Sequence, residues 1–243
     1  LLLFSPVLAG NPGWSALLIG SGLITALLGA VSAIRRHDLK GLLAYSTMSQ
    51  LGLLVTAIGI GTPVALTAAI VHTVAHALFK SALFMLIGVV DHEAGTRDVT
   101  RLGGLLAAMP ITFGAAILSA FSMAGLPPFV GFLAKEEIYY GIAASDPWSI
   151  FITTVAIVGN ALMLVIGFAV AVKPFLGPKV ETPKSAHEAP LLMYAGPVLL
   201  AALSLAAALW SGLFHQFISS PMASAVAGAP LEITISIIPK PGI

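Results

Sequence analysis

Six stretches of this chain are mostly apolar for about 20 residues or more, and this pattern constrains the fold more than any other feature. A helix needs about 20 apolar residues to cross the roughly 30 Å of hydrocarbon in a bilayer. The stretches are residues 14–34, 39–60, 64–90, 105–140, 148–172 and 191–214. We therefore predict an all-α polytopic membrane protein with six transmembrane helices.

The composition supports a membrane protein and excludes several classes of function. Hydrophobic residues make up 58% of the chain and charged residues 9%, whereas soluble domains contain about 25% charged residues. The absence of cysteine excludes disulfide bonds and thiolate metal sites, and a net charge of +1 argues against a nucleic-acid partner. We expect no catalytic residue, no cofactor and no bound metal.

The basic residues fall unevenly on the two sides that six crossings define. The loops after the first, third and fifth predicted spans contain eight of them, including Arg35, Arg97 and Lys179, whereas the opposite side contains only Lys240. Cytoplasmic loops of membrane proteins carry an excess of lysine and arginine. The pattern predicts that the loops with Arg35, Arg97 and Lys179 are cytoplasmic.

The remaining segments complete a predicted domain organisation. Residues 173–190 form a cytoplasmic loop stiffened by four prolines, and residues 191–214 form an additional transmembrane helix. Residues 1–9 are the tail of a preceding helix, and residues 215–243 are an extracytoplasmic tail. Because the chain begins without methionine and stops soon after an apolar run, we expect it to be a piece of a longer polypeptide.

Three proton-carrying side chains interrupt the third apolar stretch. His72, His76 and Lys80 follow one another at intervals of four residues, so a helix places them on one face. Lys80 would lie about 24 Å from the first end of the stretch and about 15 Å from the second. An ammonium at this depth costs about 2.5–3.5 kcal/mol, so it normally faces protein or water and has a function.

Structural roles remain open for these residues. Lys80 could form a buried ion pair that holds two helices together, and the two histidines could form a hydrogen-bonded pair. A metal site would need a third ligand, which is not evident. The segment His72-Thr-Val-Ala-His76 also lacks the glutamate that a zinc-protease helix uses as its general base.

The fourth apolar stretch is too long for one straight helix. Residues 105–140 would extend about 54 Å, nearly twice the thickness of the hydrocarbon core. Pro127 and Pro128 lack the N–H groups that a continuing helix needs, so we predict a break there, with Lys135 in the second half-helix. Alternatively, residues 105–126 cross the membrane and Lys135 lies on a short interfacial helix.

Polar side chains also cluster inside the second predicted span, where Thr47, Ser49 and Gln50 either line a hydrated path or bridge helices. Histidine titrates near pH 6.5, and a lysine removed from water releases its proton more readily than a solvated one. Four residues correspond to about 6 Å along a helix, so water molecules would have to complete any proton transfer. The residues alone therefore predict a proton or cation pathway.

Three motifs then suggest a family. The chain resembles the antiporter-like proton-translocating membrane family at three motifs, which occur in the order found in that family. They are Asp38-Leu-Lys-Gly-Leu-Leu-Ala-Tyr-Ser-Thr-Met-Ser-Gln-Leu-Gly52, the residues 72–80 and the residues 123–135. This family includes the large antiporter-like subunits of respiratory complex I and of Mrp-type Na⁺/H⁺ antiporters. Between these branches, the residues 90–104 and 109–112 are most similar to the A subunits of the Mrp-type antiporters.

The resemblance implies specific roles for the buried residues. Lys80 would be the central lysine of a proton pathway, His72 and His76 its hydrated neighbours, and Lys135 the terminal lysine on the broken helix. The residues 14–172 would be a five-helix proton-translocation repeat, the C-terminal repeat of an antiporter-like fold.

The resemblance also implies a setting for the protein. It predicts a non-enzymatic, proton-conducting part of a multisubunit Na⁺/H⁺ antiporter in a bacterial cell membrane, with the other subunits, the lipid bilayer, H⁺ and Na⁺ as partners. The alternatives are a proton-pumping subunit of a complex I or membrane-bound hydrogenase assembly, and a structural bundle whose buried charges only specify helix packing.

Overall fold

A computed structural model describes residues 1–8, 10–143, 149–228, 230 and 233, and these residues form an all-helical bundle without strands. In chain order the α-helices are α1 (Ser5–Leu8), α2 (Pro12–Ile34), α3 (Leu39–Ile60), α4 (Pro63–Ala94), α5 (Pro110–Ala124), α6 (Val130–Ala143), α7 (Ser149–Ala171), α8 (Leu191–Leu209), α9 (Ser211–Phe214) and α10 (Ser220–Ala227). Short 3₁₀ turns cover Leu2–Phe4, Val99–Arg101 and Leu105–Ala107, and a π-helical turn covers His215–Ser219.

Five of these helices, α2, α3, α4, α7 and α8, are long and apolar enough to cross a membrane. They correspond to five of the six stretches that the sequence predicts, and α3 matches its predicted bounds. Helix α4 continues past the predicted end to Ala94, where Gly95 stops it with a φ of 75°. Residue 148, the predicted start of the fifth span, lies outside the described residues.

The fourth stretch contains more than one helical element. A 3₁₀ turn is followed by α5, which ends at Gly125 with a φ of 78°, and by α6, which starts at Val130. The cis peptide bond between Pro127 and Pro128 lies in the connection between α5 and α6. The apolar pattern is continuous here, whereas glycine and proline interrupt the backbone hydrogen bonds of the helix.

The last predicted span is shorter than the apolar run that suggested it. Helix α8 ends at Leu209, and helical turns continue from Ser211 to Ala227, over the start of the segment that we predicted as a tail. Beyond Gly228 the structure describes only Pro230 and Ile233, so most of the tail, including Lys240, lies outside the described residues.

Helix α4 occupies the centre of the bundle, where it packs against α3, α5, α6 and α8. Helices α2 and α3 approach each other closely because glycine lies at the crossing. A Cβ atom at Gly52 would lie 2.4 Å from the backbone nitrogen of Ala26, and one at Gly22 would lie 2.7 Å from the carbonyl oxygen of Gly52. Small residues allow such contact between apolar helices.

The three basic loops meet at one end of the bundle. The backbone N–H of Leu39 donates to the carbonyl of Arg97, and that of Lys184 donates to the carbonyl of Ala94. Ion pairs join Lys40 to Asp91 at 3.3 Å and Arg97 to Asp38 at 2.5 Å. The three loops that the charge pattern groups together are therefore also together in space.

This basic end contains two further polar clusters. The buried carboxylate of Glu93 contacts Nδ1 of His92 at 3.0 Å and Nε2 of His187 at 3.3 Å. The hydroxyl and the backbone N–H of Thr100 donate to Asp98 and lower the pKa of that carboxyl below its usual value. Loop side chains thus hold the helix ends together here.

Candidate functional site

Helix α4 places its three titratable side chains inside the bundle, as a row on one face. The Lys80 side chain is 4% exposed, His72 is fully buried and His76 is half-buried. The ring centroids of the two histidines are 6.2 Å apart, and the ring of His76 meets Phe79 edge-on at 5.4 Å. The spacing of four residues therefore produces a contiguous polar row at the centre of the molecule.

Lys80 binds neutral oxygens of α3. Its Nζ donates to the hydroxyl of Ser46 and, at 3.4 Å, to the carbonyl of Leu43, while the Ser46 hydroxyl itself donates to the Leu43 carbonyl at 2.8 Å. No carboxylate in the described part of the chain forms an ion pair with Lys80. The described residues therefore provide hydrogen bonds, and not a counter-charge, for this ammonium.

Lys135 binds oxygens that surround the interruption between α5 and α6. Its side chain is 2% exposed, and its Nζ donates to the carbonyl of Met123 at 2.6 Å and to the amide oxygen of Asn160 on α7. Met123 is in the last turn of α5, where the carbonyls receive no hydrogen bond from within the helix and the end of the helix dipole is negative. The end of α5 is thus a favourable environment for an ammonium.

Gly125 makes this arrangement possible. A Cβ atom at Gly125 would lie 2.7 Å from Cδ of Lys135, so any larger residue would displace the lysine side chain from the end of α5. The Lys135 side chain is enclosed in the bundle. Glu136 and Glu137, the next residues of α6, are partly exposed.

The two histidines lie between the two lysines. Gly141 of α6 packs against Ala65 of α4, and Lys135, six residues before Gly141, interacts electrostatically with His72, seven residues after Ala65. The two helices are therefore antiparallel, with Lys135 at about the level of His72. Further electrostatic interactions connect His72 with His76 and His76 with Lys80, so the row continues from one lysine to the other.

Several buried polar atoms of the bundle have no hydrogen-bond partner in the described part of the protein. They include both ring nitrogens of His72, Nε2 of His76, Oε1 of Gln50 and Oγ of Ser119. Buried polar groups are nearly always hydrogen-bonded to protein or to water. The histidine pair therefore has unused hydrogen-bonding capacity.

The residues predicted as a polar lining differ in their surroundings. Ser49 and Gln50 are buried, whereas Thr47 is half-buried and donates to the Leu43 carbonyl of its own helix at 2.9 Å. Sequence reasoning omitted Ser46 as a lysine partner, although its position four residues before Gln50 places it on the same face. Asn160 was not among the predicted residues, and no signal along the chain connects it with Lys135.

No group of three or more histidine, cysteine, aspartate or glutamate side chains with metal-binding geometry occurs among the residues that the structure describes. The site thus consists of lysine, histidine, hydroxyl, amide and carbonyl groups. A bundle of long apolar helices that encloses lysines and histidines is typical of a polytopic membrane protein, and ionisable groups within membrane-spanning segments usually mark pathways for ions or protons.

Comparison with known proteins identifies the family. The family model described as "NADH:quinone oxidoreductase/Mrp antiporter, TM" matches residues 1–161. The chain belongs to this family, as the three sequence motifs predicted.

Two curated relatives are named as antiporter subunits. The chain is 39% identical to the Na(+)/H(+) antiporter A1 subunit of Staphylococcus haemolyticus over 92% of its length, and 38% identical to the Na(+)/H(+) antiporter A subunit of Alkalihalophilus pseudofirmus over 91%. In each case the match covers 31% of the relative, so the chain spans less than a third of the length of these proteins.

Two solved structures share the fold. A chain of the Mrp complex from Dietzia sp. superposes with a TM-score of 0.85 at 41% identity, over 97% of this chain and 25% of that chain. A chain of the membrane-bound sulfane sulfur reductase, an archaeal respiratory membrane complex, superposes with a TM-score of 0.75 at 30% identity, over 82% of this chain and 32% of that one.

Proposed function

We propose that this chain is a proton-conducting part of a multisubunit Na⁺/H⁺ antiporter, in which protons move between Lys80 and Lys135 through His76 and His72. The observation that carries the proposal is the histidine pair between two buried lysines, in which both ring nitrogens of His72 and Nε2 of His76 have no hydrogen-bond partner among the described residues. Water molecules would bridge the steps, since the histidine ring centroids are 6.2 Å apart.

The chemistry of the row suits reversible proton transfer. An imidazole can accept a proton at one ring nitrogen and release a proton from the other. Neutral oxygens hold both ammonium groups, so no carboxylate among the described residues traps the proton at either lysine. The two lysines also interact electrostatically, so a charge at one of them raises the energy of a charge at the other.

This coupling would allow the row to transmit work. Moving one charge through 100 mV exchanges about 2.3 kcal/mol with the membrane field. A proton that arrives at one lysine therefore favours release at the other, and an opposing sodium flux elsewhere in the complex would give the transfer its direction. Ser49 and Gln50 would line the hydrated space next to Lys80.

The same proposal assigns α5 and α6 to one broken membrane crossing, which would be the fourth of six. Helix α5 has 15 residues and α6 has 14, so each rises only about 21–23 Å, less than the roughly 30 Å of hydrocarbon. Interrupted helices at membrane depth occur in transporters where protein or a wet cavity satisfies the free backbone groups. The residues 14–172 would then form one five-helix repeat.

Orientation and partners complete the proposal. The basic loops would face the cytoplasm of a bacterial cell, since lysine and arginine concentrate there. The names of the curated relatives favour the other subunits of a Na⁺/H⁺ antiporter as partners. The likeness to the archaeal respiratory complex favours a second candidate, in which redox chemistry elsewhere in the assembly drives the same row.

Replacement of each lysine tests the proposed row in the complete complex, reconstituted into vesicles. We expect Lys80→Ala and Lys135→Ala each to lower Na⁺-dependent proton flux by about a hundredfold, the usual scale for loss of a positioned proton-transfer group. Lys40→Ala is the matched control, because Lys40 is 39% exposed and pairs with Asp91 at the basic end.

Each outcome has a separate meaning. Wild-type flux in Lys80→Ala or Lys135→Ala, in an assembled complex, would contradict the role of that lysine. Proton flux that depends on an electron donor and not on Na⁺ would favour the second candidate.

A further inference from the structure

A serine on α8 contacts the interruption between α5 and α6. Ser204 is fully buried, and its Oγ lies 2.8 Å from Oγ of Ser122 in the last turn of α5. The family model matches only residues 1–161, so α8 lies outside the matched region. This contact therefore connects the helix beyond the matched region to the junction of α5 and α6, next to the Lys135 end of the proposed proton row.

Ser122 in turn joins the two half-helices. Its hydroxyl accepts a hydrogen bond from the backbone N–H of Gly131 at 3.3 Å. Gly131 is the second residue of α6, where backbone N–H groups have no acceptor within the helix. A hydroxyl has one donor and two acceptor positions, so Ser122 can bond to Gly131 and Ser204 at the same time.

The geometry at this junction leaves little freedom. A Cβ atom at Gly131 would lie 1.8 Å from the carbonyl oxygen of Ser122, so α6 begins in direct backbone contact with the end of α5. Met123, the residue after Ser122, presents the carbonyl that binds Lys135. Lys135 in turn lies one helical turn after Gly131, so the junction at Ser122 sets the positions of both Lys135 and the Met123 carbonyl that it binds.

We infer that Ser204 is a positioning residue for Lys135, because it fixes the Ser122 hydroxyl that holds the two half-helices together at the Met123 carbonyl. Ser204 does not touch the proton row itself. The inference rests on the proposed role of Lys135, and it extends the functional unit from residues 14–172 to α8. Small displacements at such a junction are costly, since a shift of about 1 Å in a reacting group can reduce a rate by up to a hundredfold.

The test is Ser204→Ala in the complete complex, measured as Na⁺-dependent proton flux over a range of pH. We expect flux to fall about tenfold and the pH profile to shift, with assembly of the complex unchanged. Ser122→Ala has the same expected result, and the double variant is no worse than the more impaired single variant, because both remove one shared hydrogen bond. Ser21→Ala is the control, since the Ser21 hydroxyl bonds to Leu17 of its own helix at 2.6 Å.

Three results would overturn the inference while leaving the proposed function intact. They are a wild-type pH profile in Ser204→Ala, a loss of flux without a shift of that profile, and independent, additive effects of the two serine replacements. Wild-type flux in Lys135→Ala would instead refute the proposed function. If Ser204→Ala lowers the yield of the complex, Ser204→Cys, which keeps the volume and a weak donor, is tested against the same outcomes.

Discussion

The two buried lysines satisfy the same chemical requirement by different means. Lys80 projects from α4, a continuous helix of 32 residues, and reaches a serine hydroxyl on a neighbouring intact helix. Lys135 projects from α6, a helix of 14 residues, and reaches a backbone carbonyl at the end of α5. Each ammonium is buried and bound by neutral oxygens, but only the second site depends on an interruption of the backbone.

This difference shows two ways to provide an acceptor inside an apolar bundle. At Lys80 the main acceptor is a side-chain hydroxyl, because the carbonyls of an intact helix already accept hydrogen bonds from N–H groups four residues later, and the Leu43 carbonyl is a longer contact at 3.4 Å. At Lys135 the helix is interrupted, so the Met123 carbonyl at the end of α5 is free to accept a hydrogen bond from the lysine. The Lys80 site should therefore be sensitive to loss of a hydroxyl, and the Lys135 site to changes at glycine.

The largest contrast is expected from Gly131→Ala. The added Cβ would lie 1.8 Å from the Ser122 carbonyl oxygen, so α6 must move away from α5 and Lys135 must leave the Met123 carbonyl. Overpacking of this kind costs about 1–3 kcal/mol or more, and we expect thermal stability to fall together with proton flux. Gly88→Ala in α4 is the control, because a Cβ there has no neighbour within 4 Å.

Thermal unfolding of the purified complex and flux in vesicles would measure both effects. If Gly131→Ala behaved like Gly88→Ala in both assays, the backbone contact between α5 and α6 would not matter to the Lys135 site.

A smaller contrast is expected between Ser46→Ala and Asn160→Ala. Loss of Ser46 leaves Lys80 with the Leu43 carbonyl at 3.4 Å, whereas loss of Asn160 leaves Lys135 with the Met123 carbonyl at 2.6 Å. A hydrogen bond to a charged group contributes about 1.5–3 kcal/mol, so Ser46→Ala should lower flux about tenfold or more and Asn160→Ala less. Flux measurements across pH, with Thr154→Ala on the surface of α7 as the control, would rank the variants.

The opposite ranking of Ser46→Ala and Asn160→Ala would show that the Asn160 amide is the main partner of Lys135. The inference that the Met123 backbone carbonyl is the main acceptor for Lys135 would then be wrong.

The smallest effect is expected at the N-terminus of α5. Helix α4 is capped by the adjacent Thr62, whereas α5 has no cap from a neighbouring residue. The distant Glu188 caps α5 instead, because its carboxylate accepts hydrogen bonds from the backbone N–H of Ile111 at 2.8 Å and from the hydroxyl of Thr112. Negative charge at a helix N-terminus stabilises by about 0.3–1 kcal/mol. Glu188→Gln should lower thermal stability by this amount and leave flux nearly unchanged.

Glu181→Gln is the matched control for the capping prediction, because Glu181 is an exposed glutamate of the same loop. Equal melting temperatures for Glu188→Gln and Glu181→Gln would exclude a capping role for Glu188. A large loss of flux in Glu188→Gln would show that the start of α5 also controls the Lys135 site.

Much of the helical framework was predictable, because long apolar runs bounded by glycine, proline and charge determine where helices form. Helix α3 begins after Asp38, whose carboxylate caps Gly41, and stops at Gly61. The row of His72, His76 and Lys80 was equally predictable, since it follows from helical periodicity alone. In the fourth stretch the prolines signalled an interruption, but not the conformation of the chain around them.

Most of the long helices, the polar row on α4 and the grouping of the basic loops can thus be predicted from the sequence. Which oxygens meet each ammonium depends on the packed fold, because the side-chain partners Ser46 and Asn160 are 34 and 25 residues from Lys80 and Lys135, and Ser204 is 82 residues from Ser122. Helix formation depends on hydrogen bonds and apolar patterns within a few turns, and these can be read locally. Contacts between distant helices depend on how small residues such as Gly131 allow backbones to approach, and that geometry exists only in the packed bundle.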